Sequence, residues 1–345
     1  LVATSLAMLT LRARPDTEAK EMEPKLNRME EGVAYGICTL VGIGSYFAMT
    51  GIGALSPQGR CFTFNNKADG YARGEGCGCL YLKASDSFQD SADQRATILG
   101  AACNQDGRSA TMTAPNGPSQ TQCIKMSLKE ANLTPTQITV AECHGTGTAL
   151  GDPIEVGALR AAMEKSGEKR RDALVTTSSK SNIGHLEGGA GMAGLLKCVL
   201  LLMGEVALPN VHLHEINQNL DIEGWPVVFE QESYDLAQNS AISGVSSFGW
   251  GGTNARGDVW GQCKFGLHNN TDIDFQKLPR ISVTCPITMG PIDYLSGEPV
   301  RAYADKDRAS TLREPFADYR ISSYVYDGEW RYRAEPLEEN FEELP

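Results

Sequence analysis

The feature that most constrains the fold of this chain is an alternation of strand-like and helix-like segments over residues 96–247. Short apolar runs predict strands at 96–107, 138–143, 174–177 and 241–247, and helices are predicted between them near 119–131, 154–165 and 191–203. Consecutive strands that are separated by helices require crossover connections, and this arrangement is typical of α/β proteins.

The flanking regions are less regular. The stretch 1–12 fits the buried part of a helix, and apolar runs predict a buried strand at 36–45 and a second strand at 77–84, before a polar break. We therefore expect one structural half over 1–92, with a charged surface insertion over about 13–34. A second half is expected over 93–260, followed by a C-terminal extension over 261–345 of unknown function.

Composition excludes several classes of protein. The 345 residues are 41% hydrophobic, which is enough for a substantial core, and 31 Lys and Arg face 43 Asp and Glu. The formal charge of -12 argues against nucleic acid or an anionic membrane surface as a partner. The most apolar run, 195–203, carries Lys197 and falls short of the about 20 residues of a spanning helix, so we expect a soluble protein of unknown compartment. Ten Cys without a CxxC pair predict reduced thiols.

Three polar blocks lie where predicted strands or helices begin or end. They are ECHGTGTALGDPIE (142–155), KSNIGHLEGGAG (180–191) and SSFGWGGTNAR (246–256). In the first, His144 directly follows a strand, Gly145 and Gly147 let the backbone approach a ligand, and Thr146 and Thr148 offer uncharged hydroxyls. In the second, Lys180 and His185 bracket a turn.

Each block alone has a simpler explanation. A single His after a strand is usually a structural residue, and GGAGMAG lacks the spacing of a dinucleotide site. His212 and His214 on a predicted strand share one face, as metal ligands would, but no third ligand is near, so no metal is expected. Together, however, two His, a Lys and a glycine loop form a donor-rich pocket suited to a carboxylate or a developing enolate.

These residues resemble the β-ketoacyl synthases, and most closely the ketosynthase domains of modular-type polyketide synthases. The resemblance extends over about residues 35–258 and rests on motifs in the family's order and spacing. In addition to the three polar blocks, these are LSPQGRCFTFNNKADGYARGEG (55–76), NQDG (104–107) and TAPNGPSQ (113–120). It implies an α/β thiolase-like fold of layered αβαβα type, with an incomplete N-terminal half and a complete C-terminal half.

The resemblance also implies a Cys-His-His site. In the family, an acyl group moves from the phosphopantetheine of an acyl carrier protein to the active Cys, malonyl-carrier is decarboxylated, and the resulting enolate attacks the acyl thioester. His144, His185 and Lys180 fall on the catalytic positions, and Glu155 on a supporting carboxylate. The positions expected to bind substrate are Thr146, Thr148, Phe248, Trp250, Gly251 and Gly252.

Two departures from the family pattern matter. The helix at 1–12 resembles the family's nucleophile helix, so the nucleophilic Cys is expected just upstream of Leu1. None of the ten Cys replaces it, since Cys143 beside His144 is expected to pack in the core. Trp250 stands where the family usually has Phe, and its larger ring is expected to narrow the acyl entrance. Arg256 is expected to be peripheral.

The sequence thus predicts a fragment of a polyketide-type ketosynthase whose parent catalyses decarboxylative Claisen condensation. The fatty-acid version of the reaction, and a non-condensing decarboxylase or structural homologue, remain alternatives because the fold and site are shared. The resemblance implies an acyl carrier protein as partner and a homodimer whose interface includes a strand of the central sheet. No cofactor is expected on this chain apart from the phosphopantetheine that carries its substrates.

Overall fold

The computed structural model describes residues 1–12, 31–84, 94–108, 114–164, 170–264, 319–326 and 330–336. The chain separates into two compact units, Leu1–Asp272 and Ile273–Pro345. Most of the predicted insertion and most of the C-terminal extension lie outside the described residues.

The helices and strands are numbered in chain order. The helices are α1 Val2–Arg12, α2 Gly44–Gly51, α3 Gly117–Glu130, α4 Gly151–Met163, α5 Lys180–Ile183 and α6 Ala190–Gly204. The strands are β1 Glu31–Cys38, β2 Gly76–Lys83, β3 Thr97–Gln105, β4 Val140–Glu142, β5 Leu174–Thr177, β6 Val206–Ala207, β7 Val227–Phe229, β8 Tyr234–Asp235, β9 Ser240–Phe248, β10 Thr253–Gln262, β11 Tyr319–Tyr326 and β12 Trp330–Pro336. In the second unit, β11 and β12 form an antiparallel pair.

A six-stranded sheet forms the centre of the first unit, in the order β3-β10-β9-β4-β5-β7. Strand β4 runs parallel to β5 and β9, and β5 runs parallel to β7, whereas β10 is antiparallel to both of its neighbours. Successive residues of β4 point to opposite faces. Ala141 packs in a core with α3 and α4, and Val140 packs in a second core with α6. Helices therefore cover both faces, and the α/β prediction is confirmed.

A separate antiparallel sheet, β1-β2, packs on α6 through its inner face. A Cβ added to Gly36 of β1 would lie 2.9 Å from the Cβ of Met192, so only glycine permits this close approach. The outer face presents Val33, Tyr35 and Ile37, which are 61%, 66% and 52% exposed. The β1-β2 sheet thus has a buried face and an apolar face in solvent.

One predicted boundary in this region is wrong. The buried strand expected at 36–45 ends at Cys38, and residues from Gly44 onward form α2, because an apolar run of this length does not distinguish a strand from a helix. Strand β1 begins at Glu31, which pairs with Lys83 of β2, so residues 31–34 of the predicted insertion lie in a strand.

Arg256, which was expected to be peripheral to the site, lies in the core of the first unit. Its side chain in β10 is fully buried and forms an ion pair with Asp258 of the same strand, with 3.0 Å between a terminal guanidinium nitrogen and Oδ1. Another guanidinium nitrogen donates to Ser246 Oγ at 3.0 Å, and Ser127 Oγ donates to Asp258 Oδ2 at 2.6 Å. The charge is buried because residues two apart on a strand share a face and neutralise each other.

Among the described residues, one helical segment, Glu187–Gly204, has the length and apolar composition of a membrane-crossing helix. Of this 18-residue segment, 56% is buried inside the protein. Its helix α6 supplies Leu195, Cys198 and Leu201 to the core under β9. The segment thus serves as a core helix of the first unit.

Candidate active site

The predicted site residues follow the carboxyl ends of two adjacent parallel strands. His144 comes two residues after β4, and Lys180 opens α5 three residues after β5. Because carboxyl ends of neighbouring parallel strands share one edge of a sheet, they are where α/β proteins usually place a site. His185 follows α5 and is brought back to the same edge.

The imidazole rings of His144 and His185 lie next to each other in an edge-to-face arrangement. Their centroids are 5.2 Å apart and the rings are nearly perpendicular, at 86°. The ring of Phe248, at the end of β9, lies 5.9 Å from that of His144. The structure therefore brings together residues from all three polar blocks.

Backbone hydrogen bonds fix the protonation pattern of both imidazoles. The N–H of Phe248 donates to Nδ1 of His144 at 3.3 Å, and the N–H of Glu187 donates to Nδ1 of His185 at 3.0 Å. A neutral imidazole whose Nδ1 accepts carries its proton on Nε2. Each ring thus has an Nε2–H donor available for a ligand.

Both imidazoles are held in the neutral form. Burial lowers the pKa of His144 well below its usual range, and the Lys180 cation lowers it further. Burial likewise lowers the pKa of His185, with added repulsion from Lys180 and Arg73. Lys180 is itself buried, and burial lowers its pKa, although Glu155 and Glu142 oppose that effect. The two histidines are suited to donate hydrogen bonds rather than to carry charge.

Two buried carboxylates hold the loop that carries His144. Glu155 in α4 accepts hydrogen bonds from the backbone N–H of His144 at 2.6 Å and of Gly145 at 2.7 Å. Asp152 accepts from the N–H of Gly147 at 3.1 Å and from that of Phe64 at 2.9 Å. Burial raises the pKa of Glu155 to about 7 and that of Asp152 to about 6. Glu155 therefore acts on the backbone of the loop.

The glycines of this loop are required by its conformation. Gly145 has φ +48°, and an added Cβ would lie 2.7 Å from Ser178. Between the glycines, the half-buried Thr146 hydroxyl lies 3.2 Å from that of Thr148, which also accepts from the N–H of Gly151 at 3.1 Å. Thr148 thus helps to start α4, and Thr146 retains more of its hydrogen-bonding capacity for a ligand.

The third block forms a tight hairpin between β9 and β10. The N–H of Gly249 donates to Thr253 O at 2.7 Å, and Gly252 turns the chain with φ +87°. Phe248 is buried at its base, whereas Trp250 is 44% exposed and Gly251 accepts a hydrogen bond from Gln105 at 3.0 Å. Of the predicted substrate-binding residues in this block, Phe248 contacts a histidine, and Trp250 and Gly251 lie at the exposed tip.

Leu1, which immediately precedes α1, reaches the same end of the sheet. A Cβ on Gly191, at the start of α6, would lie 2.9 Å from the Cβ of Leu1 and 3.1 Å from Ser247 Oγ. Ser247 immediately precedes Phe248. The N-terminal end of α1 is therefore placed beside the elements that carry the two histidines.

Sequence reasoning missed several charged residues that support the site. Arg73 forms a two-point ion pair with Glu187, and Glu142 accepts from Thr177 Oγ1 at 2.7 Å and pairs with Lys197 Nζ at 3.0 Å. Both Arg73 and Glu187 lie inside quoted motifs, but they are 114 positions apart. No local pattern indicates a pair at that separation.

Three other predictions concern His and Cys. His212 and His214 were expected on one strand, which is wrong, since both lie in a turn region, where side chains do not alternate as in a strand. Within the described ranges, no group of three His, Cys, Asp or Glu side chains is arranged as metal ligands. Cys143 is buried in the core beneath α3 and α4, which confirms its packing role.

Comparison with known protein families gives two adjoining matches. The family model of the β-ketoacyl synthase N-terminal domain matches residues 26–87, and that of the β-ketoacyl synthase C-terminal domain matches residues 95–214. Together they account for more than half of the chain.

Individual relatives point the same way. The chain is 39% identical over 66% of its length to Reducing polyketide synthase PKS1 of Cochliobolus heterostrophus, and 36% identical over 67% to Polyketide synthase PksN of Bacillus subtilis. It spans only 9% and 4% of those relatives. The solved ketosynthase from module 6 of the bacillaene synthase of Bacillus subtilis 168 superposes with a TM-score of 0.67 at 32% identity, over 76% of this chain and 45% of that one.

Proposed function

This chain belongs to the β-ketoacyl synthase family, as a ketosynthase of the polyketide synthase type with a thiolase-like fold, and we propose on that premise that its site decarboxylates a malonyl thioester and condenses the product with an acyl thioester. The observation that carries the proposal is that His144 and His185 are adjacent, neutral imidazoles, each with an Nε2–H donor. Two such donors suit one oxygen on which negative charge develops.

In the first step, the bond between the malonyl α-carbon and its carboxylate breaks, and carbon dioxide leaves. The electron pair moves into the thioester and forms an enolate, whose oxygen accepts hydrogen bonds from Nε2 of His144 and of His185. Neutral histidines stabilise this oxygen without giving up a proton, so the enolate remains nucleophilic. Burial, and after it the Lys180 charge, lower the pKa of both histidines and keep them in that form.

In the second step, the enolate carbon attacks the carbonyl carbon of the acyl thioester, a carbon–carbon bond forms, and the thiolate leaves. We place the acyl-bearing Cys, which is expected upstream of Leu1, at the N-terminal end of α1. Leu1 lies beside Gly191 and Ser247 at this edge of the sheet. A thiolate at a helix N-terminus is stabilised by the unpaired N–H groups and the helix dipole.

The substrates are proposed to arrive on the phosphopantetheine of an acyl carrier protein. The Thr146 hydroxyl, half-buried next to the His144 loop, is suited to hydrogen-bond the amides of that arm, with Thr148 as its neighbour. Phe248 lines the site, and Trp250, with Gly251 and Gly252, sits on the hairpin where it is able to restrict the acyl entrance. A homodimer is proposed, with a strand of the central sheet in its interface.

The proposal is tested with the longer protein that includes the segment preceding Leu1. We expect His185→Ala to abolish carbon dioxide release from malonyl-carrier, by at least about 100-fold, because an oxyanion donor is removed. His214→Ala, at an exposed histidine outside the site, is the matched control. Unchanged carbon dioxide release in His185→Ala removes His185 from the site, and carbon dioxide release without a β-ketoacyl product assigns a decarboxylase instead.

A further inference from the structure

The carboxylate of Glu187, two residues after His185, forms a two-point ion pair with Arg73. The Nε–H of Arg73 donates to Oε1 at 2.7 Å, and a terminal nitrogen donates to Oε2 at 2.8 Å. The Arg73 side chain is only 5% exposed, and Tyr71 adds a hydrogen bond to Oε1 at 3.3 Å. A two-point contact of this kind fixes the orientation as well as the position of a carboxylate.

The backbone of Glu187 is strained. Its φ of +42° lies in the left-handed region, which residues other than glycine seldom adopt. In this conformation its N–H donates to Nδ1 of His185 at 3.0 Å. The side-chain contacts to Arg73 offset the strain, and the strained backbone provides the hydrogen bond to the imidazole.

We propose that the Arg73–Glu187 ion pair is a positioning element that fixes the ring orientation of His185 and keeps its proton on Nε2. Neither residue needs to touch the substrate, because both act through the backbone N–H of Glu187. The catalytic importance of this arrangement rests on the proposed function, whereas the orientation and tautomer of His185 are testable without it.

The backbone of His185 is anchored by the same segment that carries Arg73. The N–H of His185 donates to Ala72 O at 2.7 Å, and the N–H of Gly74 donates to His185 O at 2.9 Å. With the backbone fixed, the remaining freedom of His185 is in its ring, and the Glu187 N–H restricts that ring. Among the described residues, the titratable groups that face His185 or the ion pair are Lys180, His144, Tyr46, Tyr71, Cys61, Cys38 and Glu75.

Nitrogen-detected NMR of the histidine rings tests the proposal on the chain itself, at neutral pH. The signals of His185 are assigned by their loss in His185→Gln. The test variants are Arg73→Met and Glu187→Ala. The matched control is Arg160→Met, which removes the ion pairs of an α4 arginine with Glu164 and Asp221, away from the site. We expect each test variant to lower the ratio of the Nε2–H to the Nδ1–H tautomer of His185 about fivefold, which corresponds to one hydrogen bond. The control is expected to leave it unchanged.

Glu187→Gly distinguishes the effect of the strained backbone from the effect of losing the carboxylate. Glycine lacks the carboxylate as alanine does, but it adopts a positive φ without strain. We expect Glu187→Gly to retain a higher Nε2–H fraction than Glu187→Ala. A Gly variant as impaired as the Ala variant contradicts the role of the backbone conformation. A wild-type tautomer ratio in both Arg73→Met and Glu187→Ala overturns the whole proposal. If Arg73→Met fails to fold, Arg73→Lys keeps the charge and loses the two-point contact.

A second readout uses the pH profile of carbon dioxide release by the longer protein. Arg73→Met removes a cation that repels the imidazolium and leaves the Glu187 carboxylate unpaired, so the pKa of His185 is expected to rise and the acid limb to move to higher pH. If Arg73 only supported the fold, its loss would lower the rate of carbon dioxide release at every pH and leave the acid limb of the profile at the same pH. If the unsubstituted longer protein releases no carbon dioxide, the proposed function fails, and the NMR result still decides on the ion pair.

Discussion

The six-stranded sheet and the β1-β2 sheet differ in how many of their faces are buried. In the six-stranded sheet, even charges are enclosed, as in the fully buried Arg256–Asp258 pair. In the β1-β2 sheet, the apolar side chains of Val33, Tyr35 and Ile37 face solvent on one side. The first region supplies its own core on both faces, and the second buries only the face that packs on α6.

The candidate active site draws on both regions. His144, Lys180 and Glu155 lie in loops or helices next to the six-stranded sheet, whereas the backbone of His185 is hydrogen-bonded to Ala72 and Gly74, just before β2. Glu155 holds the backbone of His144 beside the six-stranded sheet, and the backbone of His185 is held by the segment that leads into β2. Substitutions matched between the regions test this difference.

The largest effect is expected from Arg256→Met. It leaves the Asp258 carboxylate buried without its cation, and breaking a buried pair in this way costs about 3–5 kcal/mol in the free energy of unfolding. Denaturation by urea measures it. The double variant Arg256→Met/Asp258→Leu is expected to recover much of the loss, because no charge remains buried. A loss below about 1 kcal/mol in Arg256→Met would show that water reaches the site, and would weaken the contrast between the regions.

A glycine substitution in the His144 loop and one in the segment that connects β1 to β2 give intermediate effects. Gly145 and Gly53 both have positive φ, +48° and +68°, but an added Cβ meets Ser178 at 2.7 Å in the first case and open space in the second. We expect Gly145→Ala to cost about 3 kcal/mol, from strain and a clash, and Gly53→Ala about 1 kcal/mol, from strain alone. Urea denaturation of both variants provides the test. Equal losses would mean that Ser178 moves away, so that packing around the His144 loop is less rigid than we infer.

The same contrast explains what could be predicted from sequence. The strand predicted at 174–177 matches β5, and the helix predicted at 191–203 matches α6 within one residue at each end, because uninterrupted burial leaves a clear apolar signal. At 36–45 the prediction was wrong, since the apolar residues of β1 face outward and those after Gly44 belong to a helix.

Within the site, the motifs identified His144, Lys180, His185 and Glu155, but not the contacts among them. The Arg73–Glu187 pair depends on tertiary packing across 114 residues, so the sequence contains no local sign of it. Arg256 was different, because Asp258 lies two residues later on the same face of a strand, and that spacing was a usable signal.

The smallest effect is expected on the outer face of β1. Val33→Thr, Tyr35→Thr and Ile37→Thr replace exposed side chains and are each expected to change the free energy of unfolding by about 0.5 kcal/mol or less. The matched substitution Val140→Thr buries a hydroxyl in β4 and is expected to cost about 1–3 kcal/mol in the free energy of unfolding.

Exposed apolar patches also promote association, so a variant that combines the three β1 substitutions should self-associate less in sedimentation experiments. A loss above about 1 kcal/mol at each β1 position would show that this face is covered in solution, and the two regions would then differ in what covers them rather than in how much they bury.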